Sequence, residues 1–147
     1  MRVYLGAGNI ISPLGNSLTE NWENVVAYQT RIKPHQSQRS EDPMLFLSRF
    51  EDGLDFYTRI FDSVSKSLDK VDRSKLDSIK TALIFSSTKG DIEQLQSRNI
   101  DEALLDYTCQ KIVEQFPVAA SISVSNACIS GITALILAHD LVKTKQY

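Results

Sequence analysis

Apolar positions along the chain fall into two periods, and the period changes several times. Val3, Tyr4 and Leu5 form a short apolar run ending in Gly6-Ala7-Gly8, which predicts a buried strand over residues 3–8 and then a turn at Ser12-Pro13-Leu14-Gly15. A helix follows, because Ser17 and Glu20 have the spacing of a capping box and Leu18, Trp22, Val25 and Val26 fall on one stripe. Residues 33–43 are polar, carry prolines near both ends and show no apolar period, which predicts an exposed loop. Leu54, Tyr57, Phe61, Val64 and Leu68 then advance in steps of three and four, the signature of a second amphipathic helix.

Residues 81–85 are a compact apolar run suited to a strand covered on both faces. A helical pattern resumes at Ile92 and Leu95 and continues through Leu104, Leu105, Thr108, Ile112 and Val113. Ala120, Ile122 and Val124 alternate with Ser121, Ser123 and Ser125, which predicts a third strand. The last helix begins near Cys128 and reaches about Lys143; apolar residues surround it, so burial on every side is expected. The order of elements points to an α/β protein with a mostly parallel sheet and right-handed crossovers, without repeats or a linker that would divide it.

Residues 115–138 lack Asp, Glu, Lys and Arg, yet Pro117, Ser121, Ser123, Ser125 and Asn126 interrupt the first half. The remaining apolar run falls short of the roughly 20 residues a bilayer requires, so no membrane span is expected. Nor does the beginning of the sequence read as a signal peptide, since Asn9 and Pro13 break its short apolar run.

Composition narrows the function classes. The 147 residues include 16 Lys and Arg against 18 Asp and Glu, a formal charge of −2, which lacks the basic footprint of nucleic-acid binding. The two cysteines, Cys109 and Cys128, form no Cys-x-x-Cys pair and have no second cluster of metal ligands. That usage argues against a zinc site or a disulfide framework and fits a reducing, cytoplasmic setting.

The segment from Val124 through Ser125-Asn126-Ala127-Cys128-Ile129-Ser130-Gly131 sets a thiol at a tight passage from strand to helix. Free N–H groups and the positive end of the helix dipole favour a thiolate there. The same N–H groups can donate to an oxyanion when the sulfur attacks a carbonyl. Gly131 would leave room for close approach, or would serve helix packing. From spacing alone Cys128 could equally be a small buried hydrophobe, as Cys109 on the Leu105 and Ile112 face most simply is.

The segment around Cys128 resembles the nucleophile motif of the β-ketoacyl-acyl-carrier-protein synthases, condensing enzymes of the thiolase superfamily. Residues 3–15, Val-Tyr-Leu-Gly-Ala-Gly-Asn-Ile-Ile-Ser-Pro-Leu-Gly, are similar to that family's opening strand and turn. Residues 16–32 continue it with the Trp22 helix and Gln29-Thr30-Arg31-Ile32, and residues 82–90 resemble the strand and glycine turn before its acyl pocket. The resemblance implies a three-layer thiolase-like half with helices on both sheet faces, of which residues 1–147 would hold about three of five strands. It implies decarboxylative Claisen condensation in fatty-acid or polyketide synthesis, with an acyl group carried on Cys128 and malonyl-carrier protein as the second substrate.

Under this resemblance Cys128 is the nucleophile and its N–H an oxyanion donor, while Lys89 and Ile129 line the acyl pocket. Lys89 stands where an apolar gatekeeper is common in the family, and it reads equally well as a solvated turn residue. Residues 90–128 are also fewer than in typical elongating synthases and lack their Gly-Pro. The implied partners are acyl carrier protein and acyl and malonyl thioesters, with no cofactor and no metal. The two histidines and lysine that polarise the malonyl thioester belong to a second half of the family's fold, which is not found in these residues, so the chain alone is expected to be inactive in condensation.

No local histidine substitutes. His139 follows Cys128 by eleven residues on one predicted helix, roughly 16 Å along the axis, and reads as a helix-face residue; His35 reads as a solvated loop residue. Gly6-Ala7-Gly8 is no dinucleotide fingerprint, because Ile11 takes the third glycine position. Ser130 lacks the flanking glycines of a hydrolase elbow. Three accounts stay open: part of a condensing enzyme, a non-catalytic shortened relative acting as a dimerisation or carrier-protein module, or an α/β binding protein in which Cys128 packs. A helix apolar all round needs more cover than three strands supply, so an open apolar face and self-association near residues 120–124 are expected.

Overall fold

The computed structural model describes residues 2–36, 43–72 and 80–147. They form two compact units, residues 6–71 and residues 72–147 with the first five residues.

In the first unit, α1 spans Leu18–Val26 as the capping pattern predicts. Ser17 caps it by accepting from the Glu20 N–H, and the Glu20 carboxylate turns back to accept from the Asn16 N–H at 2.6 Å. The reciprocal bond thus lands one residue before the cap, satisfying a donor outside the helix. Asn21, 7% exposed, is the buried residue of α1. Its amide donates to the carbonyls of Ile10, Gly15 and Ser17 at 3.1, 2.8 and 2.8 Å, and its Oδ1 accepts from the Ser12 hydroxyl. Asn24 adds a bond to the Leu14 carbonyl at 2.7 Å, so the helix grips the preceding turn by side-chain amides. The apolar stripe is left outward, with Trp22 66% exposed.

Helix α2 spans Phe56–Leu68 and is capped by Asp55, which accepts from the Thr58 N–H at 2.8 Å and its hydroxyl at 2.7 Å. Lys66 and Lys70 reach the carbonyls of Asn16 and Gly8 at 3.3 and 2.9 Å, tying α2 to the stretch before α1. Between the helices, β1 (Ile32–His35) and β2 (Leu45–Ser48) pair antiparallel, from Ile32 opposite Ser48 to His35 opposite Leu45. This corrects the loop expected over residues 33–43: Lys33, Pro34 and His35 are in a strand, while residues 37–42 lie outside the described set. A two-stranded ribbon consists only of edges, so Pro34 is tolerated where a central strand would reject it.

In the second unit, β3 (Ala82–Ser86) and β4 (Ala120–Val124) pair parallel, Ala82 with Ala120 through Ser86 with Val124. The chain between them makes short 3₁₀ turns at Ile92–Leu95 and Asp101–Ala103 before α3 (Leu105–Gln115), where sequence periodicity predicts continuous helix. The first turn is capped by the buried Asp91, which accepts from the Glu93 N–H at 3.3 Å and the Gln94 amide at 2.9 Å. Gly90 is required by close approach: a Cβ there would lie 2.1 Å from the Ala103 carbonyl oxygen. Helix α3 packs on β4 and buries Thr108, Cys109 and Ile112, the last only 1% exposed.

Helix α4 (Ser130–Lys143) packs against β3 and β4. It is not covered on every side as expected, for Ile132, Leu135 and Ile136 are exposed, Leu135 by 64%. Two strands cannot cover the circumference of a helix, and the predicted strand over residues 3–8 does not form among the described residues. Tyr4 and Leu5 stand open to solvent. A strand exists only through pairing, and apolar letters alone do not supply the neighbour. The result is a mixed α/β chain with a small two-stranded parallel sheet. Among the described residues no helix is long and apolar enough to cross a membrane.

Candidate functional site

The passage from β4 to α4 is an elbow of five residues, Ser125 to Ile129. Ala127 takes a φ of +44°, the left-handed region that a side chain with a Cβ occupies at a cost. Ser130, the first residue of α4 and 5% exposed, fastens the bend. Its hydroxyl accepts from the Asn126 N–H and donates to the Ala127 carbonyl, both at 2.7 Å. The Ile129 N–H donates to the Asn126 carbonyl at 3.1 Å and the Ser130 N–H to the Ala127 carbonyl at 3.3 Å. The Asn126 amide reaches forward to the Thr133 hydroxyl at 3.3 Å.

Cys128 sits at the crest of this elbow as a free, exposed thiol, two residues before α4 begins. Its sulfur is reachable by an electrophile, and N–H groups in the first turn of a helix lack intrahelical acceptors. Gly131 leaves open space beside that turn, since a Cβ there would meet no atom within 4 Å. Cys109, by contrast, is buried in α3, as its apolar face predicts.

The remaining predicted residues are dispersed. Lys89 follows β3 in a turn where the Ser87 hydroxyl donates to the Lys89 carbonyl at 2.6 Å. It lines an open groove of about 630 Å³ with Ile92, Leu95, Ile100 and Leu104. The groove reaches Ser123 and Ser125 of the β4 end, but Cys128 and Ile129 are not among its walls. Ile129 is exposed beside the cysteine. His139 is exposed on α4 with Nδ1 3.0 Å from Asp140 Oδ1, and His35 ends β1 in the other unit. Among the described residues no three His, Cys, Asp or Glu side chains gather as metal ligands.

Sequence reasoning misses two features of the elbow. Nothing marks Ala127 for a left-handed backbone, because glycine or asparagine is the usual occupant. Ser130 is dismissed as a hydrolase nucleophile, and its role as the clasp emerges only from its two bonds to Asn126 and Ala127. No protein-family model matches the chain, and no curated protein matches it.

Proposed function

We propose that the chain is the nucleophile-bearing part of a β-ketoacyl-acyl-carrier-protein synthase, with a thiolase-like sheet, and that Cys128 accepts an acyl group from carrier protein. The observation that carries this reading is the exposed Cys128 thiol on a left-handed elbow between a parallel strand and a helix. In the first step the sulfur, as thiolate, attacks the carbonyl carbon of the acyl thioester. The carbon–sulfur bond to the carrier breaks and the carrier thiolate leaves, taking up a proton from solvent. In the second step malonyl-carrier protein loses carbon dioxide, and its carbanion displaces Cys128 from the acyl carbon. The second step needs donors to polarise the malonyl thioester; His139 follows Cys128 by eleven residues and is paired with Asp140 on α4, and on this reading the chain by itself is inactive in condensation.

The second reading, a non-catalytic relative serving dimerisation or carrier-protein contact, is favoured by the uncovered stripe of Ile132, Leu135 and Ile136. Under both readings the chain self-associates in the cytoplasm. The exposed thiol favours either reading over an α/β binding protein in which Cys128 packs.

A thioester acyl donor offered to the full chain separates the readings. Mass spectrometry is expected to find one acyl adduct on Cys128, absent in Cys128→Ala, while Cys109 stays unmodified. Labelling as strong in Cys128→Ala as in the original sinks the nucleophile assignment. No adduct on a folded chain whose Cys128 reacts with a small alkylating agent leaves the non-catalytic reading in its place.

A further inference from the structure

We propose that the polar cleft beside the β1–β2 ribbon binds a phosphate monoester, clasped between the guanidinium groups of Arg31 and Arg49. The cleft encloses about 570 Å³ and lies wholly within residues 12–52, so it is independent of Cys128 and of the condensing-enzyme reading.

The register places the two arginines. Ile32 pairs with Ser48 at the end of the ladder, and Arg31 and Arg49 are the residues just beyond that pair on the two strands. Both side chains line the cleft, as does Lys33, two residues along β1 and therefore on the same face. Among the described residues neither guanidinium has a carboxylate partner within salt-bridge distance, whereas the carboxylates of the cleft are engaged. Glu51 binds Lys33 at 2.6 Å, Asp52 takes both guanidinium nitrogens of Arg59, and Glu20 accepts from the Asn16 N–H at 2.6 Å.

Two guanidinium groups without a salt-bridge partner thus line one concave, hydrophilic space, where the Glu51 carboxylate also feels Arg31 through space and the Glu20 carboxylate has a backbone N–H as partner. A dianionic oxyanion suits it better than a carboxylate, because each fork can take two oxygens of one phosphate. The turn supplies no further anion donors: the N–H groups of Ser12, Leu14, Gly15 and Asn16 are all bonded within the unit. Recognition therefore rests on the arginines. The walls offered by Asn16, Asn24 and Glu20 suit a hydroxylated body attached to the phosphate.

Titration calorimetry of the full chain with glycerol 3-phosphate, inorganic phosphate and acetate at fixed ionic strength tests this. Saturable binding of both phosphates is expected, with affinity rising between pH 5 and pH 7 as the dianion forms. Arg31→Gln and Arg49→Gln should each weaken it about tenfold or more, since each removes charge-assisted bonds. Each variant should keep the melting temperature of the ligand-free original, since both arginines are exposed, and this separates lost binding from lost folding. No saturable binding up to about 20 mM phosphate, acetate bound as tightly as phosphate, or affinity unchanged in both variants overturns the proposal; these thresholds are scaled to the millimolar affinity of a two-arginine site.

Discussion

The Ser130 hydroxyl accepts from the Asn126 N–H at 2.7 Å, and this bond between the first residue of α4 and the second residue of the elbow holds Cys128 at the crest. The same hydroxyl donates to the Ala127 carbonyl, so one side chain satisfies a donor and an acceptor at the tightest point of the bend. The backbone at Ala127 is strained, and the clasp opposes its relaxation.

Replacing Ser130 by Ala removes both bonds in a buried place and is expected to cost about 1–3 kcal/mol of unfolding free energy. Ala127→Gly removes the Cβ from a left-handed backbone and is expected to be neutral or stabilising by up to about 1 kcal/mol, because strain relief exceeds the entropy that glycine adds to the unfolded chain. Urea unfolding measures both. If Ala127→Gly is destabilising by as much as Ser130→Ala, the elbow is not strained at that residue.

Sequence legibility follows the same division between local and non-local causes. Helices α1 and α2 are readable because their apolar residues recur at helical spacing and, for α1, because Ser17 and Glu20 mark the cap. β4 is readable from strict alternation, and Cys128 from its place after it. What is not readable depends on neighbours. Residues 3–8 have strand composition without a pairing partner, and the letters of α4 imply cover that the two-stranded sheet does not provide. Asn21 lies off the apolar stripe of α1, yet the turn folds over it and it becomes the buried residue of that helix. Arg31 and Arg49 are eighteen residues apart, and only the pairing of β1 with β2 brings both to one end of the ribbon.

The Asn21 clamp gives the second prediction. Asn21→Leu keeps the side-chain size but leaves the Ser12 hydroxyl and the carbonyls of Ile10 and Gly15 without their amide partner. A loss of about 2–4 kcal/mol is expected, because several polar groups in a closed space lose their bonds together. Asn21→Asp keeps the acceptor and removes the donors, so it should fall between the original and the leucine variant. Chemical denaturation read by Trp22 fluorescence on the same helix reports it. An Asn21→Leu chain as stable as the original would mean that α1 is held to its turn by something other than this amide.

Acid provides the third. The Arg59 guanidinium, bonded to Asp52 and stacked 3.6 Å from the Phe50 ring centroid, holds the Asp52 carboxyl below its ordinary range. The hydroxyl and then the backbone N–H of Thr58 do the same for Asp55 at the start of α2. A carboxylate whose folded value is depressed contributes stability that is complete above its unfolded value, near 3.8 here, and is lost as pH falls through the lowered folded value. Both groups are open to solvent, so screening keeps their individual contributions small. Stability is expected to be level from neutral pH down to about 5 and to decline below about 4. In an Asp52→Asn, Asp55→Asn double variant the decline should be shallower, its neutral-pH stability lower, and the two curves should converge at the acid extreme, once the original's carboxylates are also protonated. Urea midpoints taken across that range decide the matter, and curves that stay parallel to the acid limit would show that neither carboxylate is linked to folding.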